Sequence, residues 1–245
     1  MASINASTSS TGLISTGDAS GSLDLQGNGA TGLTINSSGK VVFANTALST
    51  ASAGIMEYDG RVPYFTPLGT QRGVVPGMQY YRLDSALAGS NVNTAQNVFG
   101  VGVTLSSSTV YYFDGIYALS KTAGATSHTT GIGFGGTATV NNIGYWAQAG
   151  TINTTSFVDT SNGQSFQYYI QTVSNTVLNG AQAAATTIRQ YRVSGTVSVN
   201  AGGTFIPQYT LSAAPGGAYT TAAGSWFMIY PIGASGSNIS VGTWA

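Results

Sequence analysis

Residues 224–233 read GSWFMIYPIG and form the most hydrophobic stretch of a chain otherwise rich in Gly, Ser, Thr, Ala and Asn. A strand with one face on a core and the other in water alternates apolar and polar residues. This stretch does not alternate, because both of its faces would be apolar: Trp226, Met228 and Tyr230 on one, Phe227 and Ile229 on the other. The sequence therefore predicts a strand that needs a cover on each side.

A second stretch, VYYFDGIYALS at 110–120, has the same property. Its two faces carry Tyr111, Phe113, Tyr117 and Leu119 on one side, and Tyr112, Ile116 and Ala118 on the other. One face can fill the core of a β-sandwich, and we expect another copy of the chain, related by closed rotational symmetry, to cover the second. The alternative is a central strand that is buried on both sides within a single domain.

Composition indicates a protein that exists in an assembly. Only 6% of the 245 residues are charged, and seven basic residues balance seven acidic ones, whereas ordinary soluble proteins have roughly 25% charged residues. So little charge protects a free monomer poorly from association. No basic cluster is present to bind nucleic acid. The absence of cysteine excludes disulfides, thiol catalysis and thiolate metal sites.

The N-terminus, MASINASTSS, has neither the basic nor the apolar region of a signal peptide. No apolar run approaches the ~20 residues that span a bilayer. We therefore expect no membrane partner, synthesis in a host cytoplasm, and exit by a route such as virion release.

The chain is predicted to be all-β. Short runs of Val, Ile, Thr, Tyr and Phe alternate with Gly, Asn and Ser, and only 179–190 (NGAQAAATTIRQ) has helix-forming alanines, opposed there by β-branched residues. Three regions are expected: an arm at 1–60 with short strands at Leu23–Gln26, Gly32–Ile35 and Val41–Phe43; a stiff linker at 61–79 containing Pro63, Pro67 and Pro76; and a head at 80–245. The arm strands are too short to be stable alone.

The head is predicted to be a β-sandwich or jelly roll. Its candidate strands are 98–105, 110–119, 129–134, 137–147, 155–159, 166–172, 186–199, 204–212 and 225–232. The clearest hairpin is predicted at 191–212, where NAGG at 200–203 separates two alternating strands.

Three segments resemble structural proteins of tailed bacteriophages, many of which infect cyanobacteria and other aquatic bacteria. Residues 194–233 (SGTVSVNAGGTFIPQYTLSAAPGGAYTTAAGSWFMIYPIG) are similar to the closing strands of trimeric heads with a C1q/TNF-like jelly roll. Residues 54–76, with EYDG and RGVVP, resemble the junction before such heads, and residues 1–26 resemble the N-terminal arms of virion proteins.

The resemblance implies a homotrimeric virion protein: a capsid decoration (cement) protein bound to the major capsid protein or another virion protein, or alternatively a short tail fibre that binds host surface polysaccharide. The expected trimer interface comprises Tyr111, Phe113, Tyr117, Trp226, Phe227, Met228 and Ile229. The expected anchoring residues of the arm are Leu13, Ile14, Leu23, Leu25, Leu33, Ile35, Val41 and Phe43.

No catalytic, cofactor or metal site is predicted. Glu57 and Asp59 are the only acidic residues two apart, which is the spacing that places carboxylates on one face of a strand, but EYDGR reads as a turn. His128 is the only histidine and lies in a predicted loop. GIGFGG at 131–136 lacks the spacing of a phosphate-binding loop, and its glycines are expected to permit tight strand packing.

Overall fold

The structure is a computed structural model that describes residues 21–27, 30–152, 165–236, 238 and 240–244. Its regular secondary structure over these residues is entirely β, which confirms the predicted fold class. In this part of the chain there is no helix long and apolar enough to cross a membrane. The chain divides after Gly73 into two compact units.

The first sheet of the N-terminal unit is an antiparallel meander of β1 (Leu23–Gly27), β2 (Ala30–Ile35) and β3 (Val41–Phe43). These strands lie where the sequence predicted them. The β2–β3 turn is closed by Asn36, whose side-chain oxygen accepts hydrogen bonds from the backbone N–H groups of Ser38 and Lys40. Gly39 supplies the positive φ (71°) that this turn requires.

The second sheet comprises β4 (Met56–Tyr58), β5 (Pro63–Phe65) and β6 (Gly73–Val74). It lies largely in the segment predicted to be a linker, and Val62, Tyr64 and Thr66 are buried there. The prolines misled the prediction because proline is tolerated as the first residue of a short strand, which is where Pro63 lies. Residues 61–79 are therefore not an extended connection.

The described part of the C-terminal unit contains thirteen strands in two sheets. The large sheet has β14 (Ser165–Ile170), β13 (Thr139–Ile152), β16 (Thr187–Ala201), β11 (Thr109–Lys121), β19 (Trp226–Ala234) and β7 (Gln79–Arg82) side by side, with β18 (Thr220–Thr221) and β8 (Leu87–Ala88) beyond the end of β19. The small sheet has β10 (Val103–Leu105), β17 (Gly203–Leu211), β12 (His128–Gly135) and β15 (Thr176–Gln182) in that order, with β9 (Gln96–Asn97) on β17.

This strand order is that of a jelly roll. The eight framework strands, in chain order, are β7, β10, β11, β12, β15, β16, β17 and β19. The large sheet arranges them first, eighth, third, sixth, and the small sheet arranges them second, seventh, fourth, fifth, which is a double Greek key. The hairpin β13–β14 is inserted between the fourth and fifth framework strands and extends the large sheet beyond β16.

The hairpin predicted at 191–212 is wrong. β16 pairs with β11 and β13, whereas β17 pairs with β10, β12 and β9, so the two consecutive strands lie in opposite sheets. The sequence assigned the alternating apolar residues of both strands correctly to the core. The two strands face each other from opposite sheets, however, instead of lying side by side in one sheet. The turn crosses from sheet to sheet at Gly202 and Gly203, where a Cβ atom would lie 2.8 Å from the Leu105 oxygen and 2.6 Å from the Ala138 nitrogen, respectively.

Two further differences concern the middle of the head. The alanine passage that begins at 179 overlaps β15, a strand the sequence did not predict, since its small residues lack the usual β-branched signal. The strand predicted at 155–159 lies outside the described residues.

The core is organised around Phe113 on β11. Its ring contacts Phe134 and Phe205 of the small sheet at centroid distances of 5.2 and 6.1 Å, and stacks on Phe227 of the large sheet at 5.8 Å. Gly115 makes room for this arrangement, because a Cβ atom there would lie 2.8 Å from the Phe227 ring. The two sheets are thus joined by interlocking aromatic rings.

We predict that Phe113→Ala destabilises the head by about 3–5 kcal/mol, since it removes a ring that contacts both sheets. Gly115→Val should destabilise it by about 1–3 kcal/mol through overpacking. Chemical denaturation followed by tryptophan fluorescence measures both losses. Val177→Ala, on an exposed position of β15, is the control and should change stability by less than about 0.5 kcal/mol. Equal losses for all three variants would show that the cluster has no special role.

Candidate interaction surfaces

The large sheet presents a broad face away from the core, which we call the outer face. The register places one row of side chains across all six strands: Tyr169, Trp146, Ser194, Asp114, Met228 and Tyr80. The neighbouring row is Gln148, Arg192, Ile116, Trp226 and Arg82. Apolar and aromatic groups dominate the first row, as the two-faced strands of the sequence predicted, whereas the second row combines Ile116 and Trp226 with one glutamine and two arginines.

The expected interface residues divide between the two faces. Trp226 and Met228 lie on the outer face and are half-buried. The other five point into the sandwich and are buried within one chain, so we correct their assignment from interface to core: Tyr111, Phe113, Tyr117, Phe227 and Ile229. The error arose because the sequence shows that both faces are apolar but not which face the second sheet covers.

The sequence reading also missed the most exposed members of the outer face. Trp146 and Tyr169, on the inserted hairpin, are 57% and 61% exposed, and their rings lie 6.3 Å apart. Tyr80 is exposed and stacks on Trp226 at 5.8 Å. These residues belong to strands that an isolated sequence does not place beside β11 and β19.

Two ion pairs of the described residues involve the outer face: Arg82 with Asp84, and Arg192 with Asp114. Arg192 Nη2 and Asp114 Oδ2 are 3.7 Å apart, and Asp114 is buried although it faces outward. The other carboxylate oxygen of Asp114 is buried without a hydrogen-bond donor. Because an unpaired buried acceptor is costly, this oxygen is a position where a donor from another molecule would be favourable.

An apolar groove of about 310 Å³ opens at the β7–β10 edge of the sandwich, and we call it the edge groove. Core rings and residues of the two edge strands line it: Phe99, Phe205, Phe227, Tyr80, Tyr81 and Val103. The sandwich is therefore incompletely closed along this edge.

The arm sheet has one apolar face, which we call the arm face. The register aligns its members in two rows: Leu23, Ile35 and Val41, and Leu25, Leu33 and Phe43. None of the six is buried by the rest of the described chain. They are the anchoring residues expected from the sequence, except that Leu13 and Ile14 lie outside the described residues. The opposite face carries Asp24, Thr34 and Val42.

The two carboxylates of EYDGR hold the N-terminal unit together. Glu57 accepts hydrogen bonds from the backbone N–H and hydroxyl of Ser49, both at 2.7 Å, and pairs with Arg72 at 2.7 Å. Asp59 accepts from the N–H groups of Arg61 and Val62 and from the Tyr64 hydroxyl. Burial disfavours ionisation of Asp59, but these hydrogen bonds outweigh it and lower its pKa.

His128 is a buried structural residue. It is the first residue of β12 rather than a loop residue, and its two ring nitrogens are hydrogen-bonded to the Thr126 carbonyl at 2.7 Å and the Tyr219 hydroxyl at 2.8 Å. The GIGFGG glycines lie along the same strand, where Cβ atoms at Gly131 and Gly133 would collide with the 173–175 segment. In the described ranges, no cluster of His, Cys, Asp and Glu could hold a metal ion.

Comparison with known proteins adds little to this geometry. No protein-family model matches the chain, and no curated protein matches it. Among solved structures, a chain of the structure of infectious bursal disease virus Gx strain aligns over 78% of this chain and 47% of that chain, with 12% identity and a TM-score of 0.15. This chain thus spans about half of that viral chain, and so distant a likeness assigns neither fold nor function.

The shifted pKa values of Asp59 and Tyr64 predict that the N-terminal unit loses stability at both low and high pH. The pKa of Asp59 is lower in the folded than in the unfolded chain. Its contribution to stability is therefore fully present above the unfolded pKa near 4 and is lost as the pH falls through the folded pKa. Burial and the adjacent Asp59 raise the pKa of Tyr64 to about 12, so its contribution is present below pH 10 and is lost as the pH rises toward 12.

Thermal unfolding of the full chain between pH 3 and 12 tests this prediction. Asp59→Asn should flatten the acid limb, and Tyr64→Phe should flatten the alkaline limb. Asp84→Asn, which removes an exposed carboxylate, should leave both limbs unchanged. Identical profiles for Asp59→Asn and Asp84→Asn would contradict the role assigned to Asp59.

Proposed function

We propose that this protein is a non-enzymatic structural component of a virion, most specifically a homotrimeric capsid decoration protein of a tailed phage. The head assembles through its outer face, and the arm face attaches each chain to the shell. The observation that carries the proposal is the breadth of exposed apolar surface on a jelly roll with almost no charge.

The outer face offers a broad area for packing against another copy. Six strands at the usual spacing extend about 24 Å, and the two rows described, with the Tyr112–Tyr230 pair beside them, give an area on the order of 500 Å². Typical stable interfaces bury about 800 Å² per partner. The outer face alone is smaller than this, so residues around it would have to complete the contact.

The presence of two different apolar surfaces on each head favours a closed ring over a twofold dimer. A twofold dimer buries the same patch of both chains, whereas a closed ring of three joins one patch of each chain to a different patch of the next. The outer face and the edge groove provide such a pair. The number three is taken from the resemblance of residues 194–233 to trimeric heads.

The arm face suits attachment to a shell protein. It is a one-sided apolar sheet of three short strands, which cannot be stable alone and gains stability when a partner covers it. Three arms on one trimer would bind together, and avidity can exceed single-site affinity by ~10²–10⁴-fold. The partner is expected to offer an apolar patch, since the six residues of the arm face carry no charge.

The use of the carboxylates and the histidine supports a non-enzymatic role. Glu57, Asp59 and His128 each make hydrogen bonds within the fold. An incubation of the protein with host exopolysaccharide should release no reducing ends or unsaturated sugars, and clear release would overturn the non-enzymatic assignment.

We predict that Ile116→Arg prevents trimer formation, because Ile116 is 43% exposed at the centre of the outer face and a charge there would have to be desolvated in the interface. The matched control is Val177→Arg, whose parent side chain is 51% exposed on the small sheet. Light scattering after gel filtration at micromolar concentration should give a trimer for the wild type and the control and a monomer for Ile116→Arg. A monomeric wild type, or a trimeric Ile116→Arg, would refute the assembly.

Substitutions at two neighbouring residues of β3 test whether the arm face attaches the chain to particles. Val41 lies on the arm face and is 57% exposed, whereas Val42 lies on the opposite face and is 45% exposed. We predict that Val41→Asp reduces co-sedimentation with particles lacking the wild-type copy by at least tenfold, while Val42→Asp has little effect. Deletion of residues 1–43, which retains the Asn45–Tyr58 bridge, should abolish binding and leave the head trimeric. Normal binding of the deletion would mean that the head makes the attachment.

A short tail fibre that binds host polysaccharide is the second candidate, favoured by one observation. Trp146 and Tyr169 form an exposed aromatic pair, and Trp146 lines a shallow cavity of about 230 Å³ with Gln148, Arg192 and Ser194. Aromatic surfaces with adjacent polar groups suit sugar rings. Copy number on a gel of purified particles separates the candidates: hundreds of copies indicate decoration, and about a dozen indicate a tail appendage.

A further inference from the structure

A cationic side chain lies in the head interior with no counter-charge among the described residues. Arg189, on the core side of β16, is fully buried, and none of its three guanidinium nitrogens has a hydrogen-bond acceptor. The guanidinium lies 6.0 Å from the centre of the Tyr219 ring. Arginine cannot shed its proton in a protein, so this charge remains in the interior.

A second cation lies near the first. Lys121 on β11 is buried, and its ammonium lies 5.9 Å from the centre of the same Tyr219 ring. Its hydrogen bonds go to neutral carbonyl oxygens, those of Ala123, Gly124, Ala184 and Ala185. Burial and the charge of Arg189 lower the pKa of Lys121. The cluster is therefore cationic, with only neutral acceptors.

The polar groups nearest Arg189 are neutral. The Tyr191 hydroxyl donates to Asn179 at 2.6 Å, and the Tyr219 hydroxyl is hydrogen-bonded to His128. Both hydroxyls also interact with the Arg189 guanidinium and the Thr130 hydroxyl, without reaching full hydrogen-bond geometry. The charge of Arg189 therefore meets only neutral oxygens among these groups.

No described carboxylate reaches this region. The acidic residues of the described ranges are Asp24, Glu57, Asp59, Asp84 and Asp114, and the ion pairs that they form are with Arg72, Arg82 and Arg192. An isolated buried charge costs several kcal/mol even after relaxation. Something outside the described residues must offset the charge of Arg189.

We propose that the head binds a small monovalent inorganic anion, of the chloride class, beside Arg189. The guanidinium and the Thr130 hydroxyl donate to it, and the cationic Lys121 adds attraction at longer range. The ion is small because Arg189, Tyr191 and Tyr219 are almost completely buried, so that little room is accessible beside the guanidinium. It binds the folded head only and stabilises it in proportion to its concentration.

Bromide diffraction provides the direct test. A crystal of the full chain grown in sodium bromide should show an anomalous peak within about 3.5 Å of the Arg189 guanidinium. Absence of a peak at this position in well-ordered density would overturn the proposal.

Thermal unfolding provides the second test, at fixed ionic strength with sodium gluconate replacing sodium chloride. Above saturation, the Tm of the wild type should rise by about 3–5 °C for each tenfold increase in chloride. Thr130→Val should weaken the response, and Arg189→Met should abolish it. Arg61→Met, which removes an exposed arginine of the N-terminal unit, is the matched control and should respond like the wild type. A wild-type Tm that is independent of chloride would overturn the proposal.

Asp18 and Asp159 are the two acidic residues outside the described ranges, and each is tested separately. Asp18→Asn and Asp159→Asn should both retain the bromide peak and the chloride response. If the bromide peak is absent and one of these variants lowers the Tm as much as Arg189→Met does, the counter-charge is that carboxylate and no ion site exists.

Discussion

The interlock of aromatic rings across the sandwich is the contact on which the rest of the head depends. Phe113 contributes from the large sheet, and Phe134 and Phe205, whose rings stack at 4.5 Å, contribute from the small sheet. Because this cluster fixes which face of β11 and β19 points inward, it also fixes which apolar residues remain outside. The outer face is thus a direct consequence of the core, and the surface proposed for assembly is as well defined as the interior.

The scarcity of charged residues is related to these apolar faces. A surface that is covered in an assembly gains little from charges, which would have to be desolvated. Some of the few charges are used within the fold: Glu57 and Asp59 hold turns of the N-terminal unit, and Lys121 binds the carbonyls of two loops. A low charged fraction is therefore consistent with a chain whose sheet faces are covered by other molecules.

The sequence predicted the all-β class, the arm strands and the two apolar faces of β11 and β19, because these depend on local sequence patterns. It failed where the answer depends on distant pairing. The hairpin at 191–212 looks local, yet β16 and β17 pair with different sheets, and only the whole strand order shows this. The outer-face residues Tyr80, Trp146 and Tyr169 were missed for the same reason. The burial of Arg189 could not be predicted, since an arginine within an alternating strand is normally expected to face solvent.

The pairing of β7 with β19 has a consequence for biosynthesis. The first and last framework strands of the jelly roll are neighbours in the large sheet, separated by more than 140 residues of chain. The ribosome must therefore release nearly all of the polypeptide before the sheet can close, and this closure is a slow, long-range step. Until then both faces of β11 are open to water, and nascent chains are at risk of pairing wrongly with one another. A chaperone that binds the incomplete chain would reduce this risk, and pairing of β19 with β7 ends it.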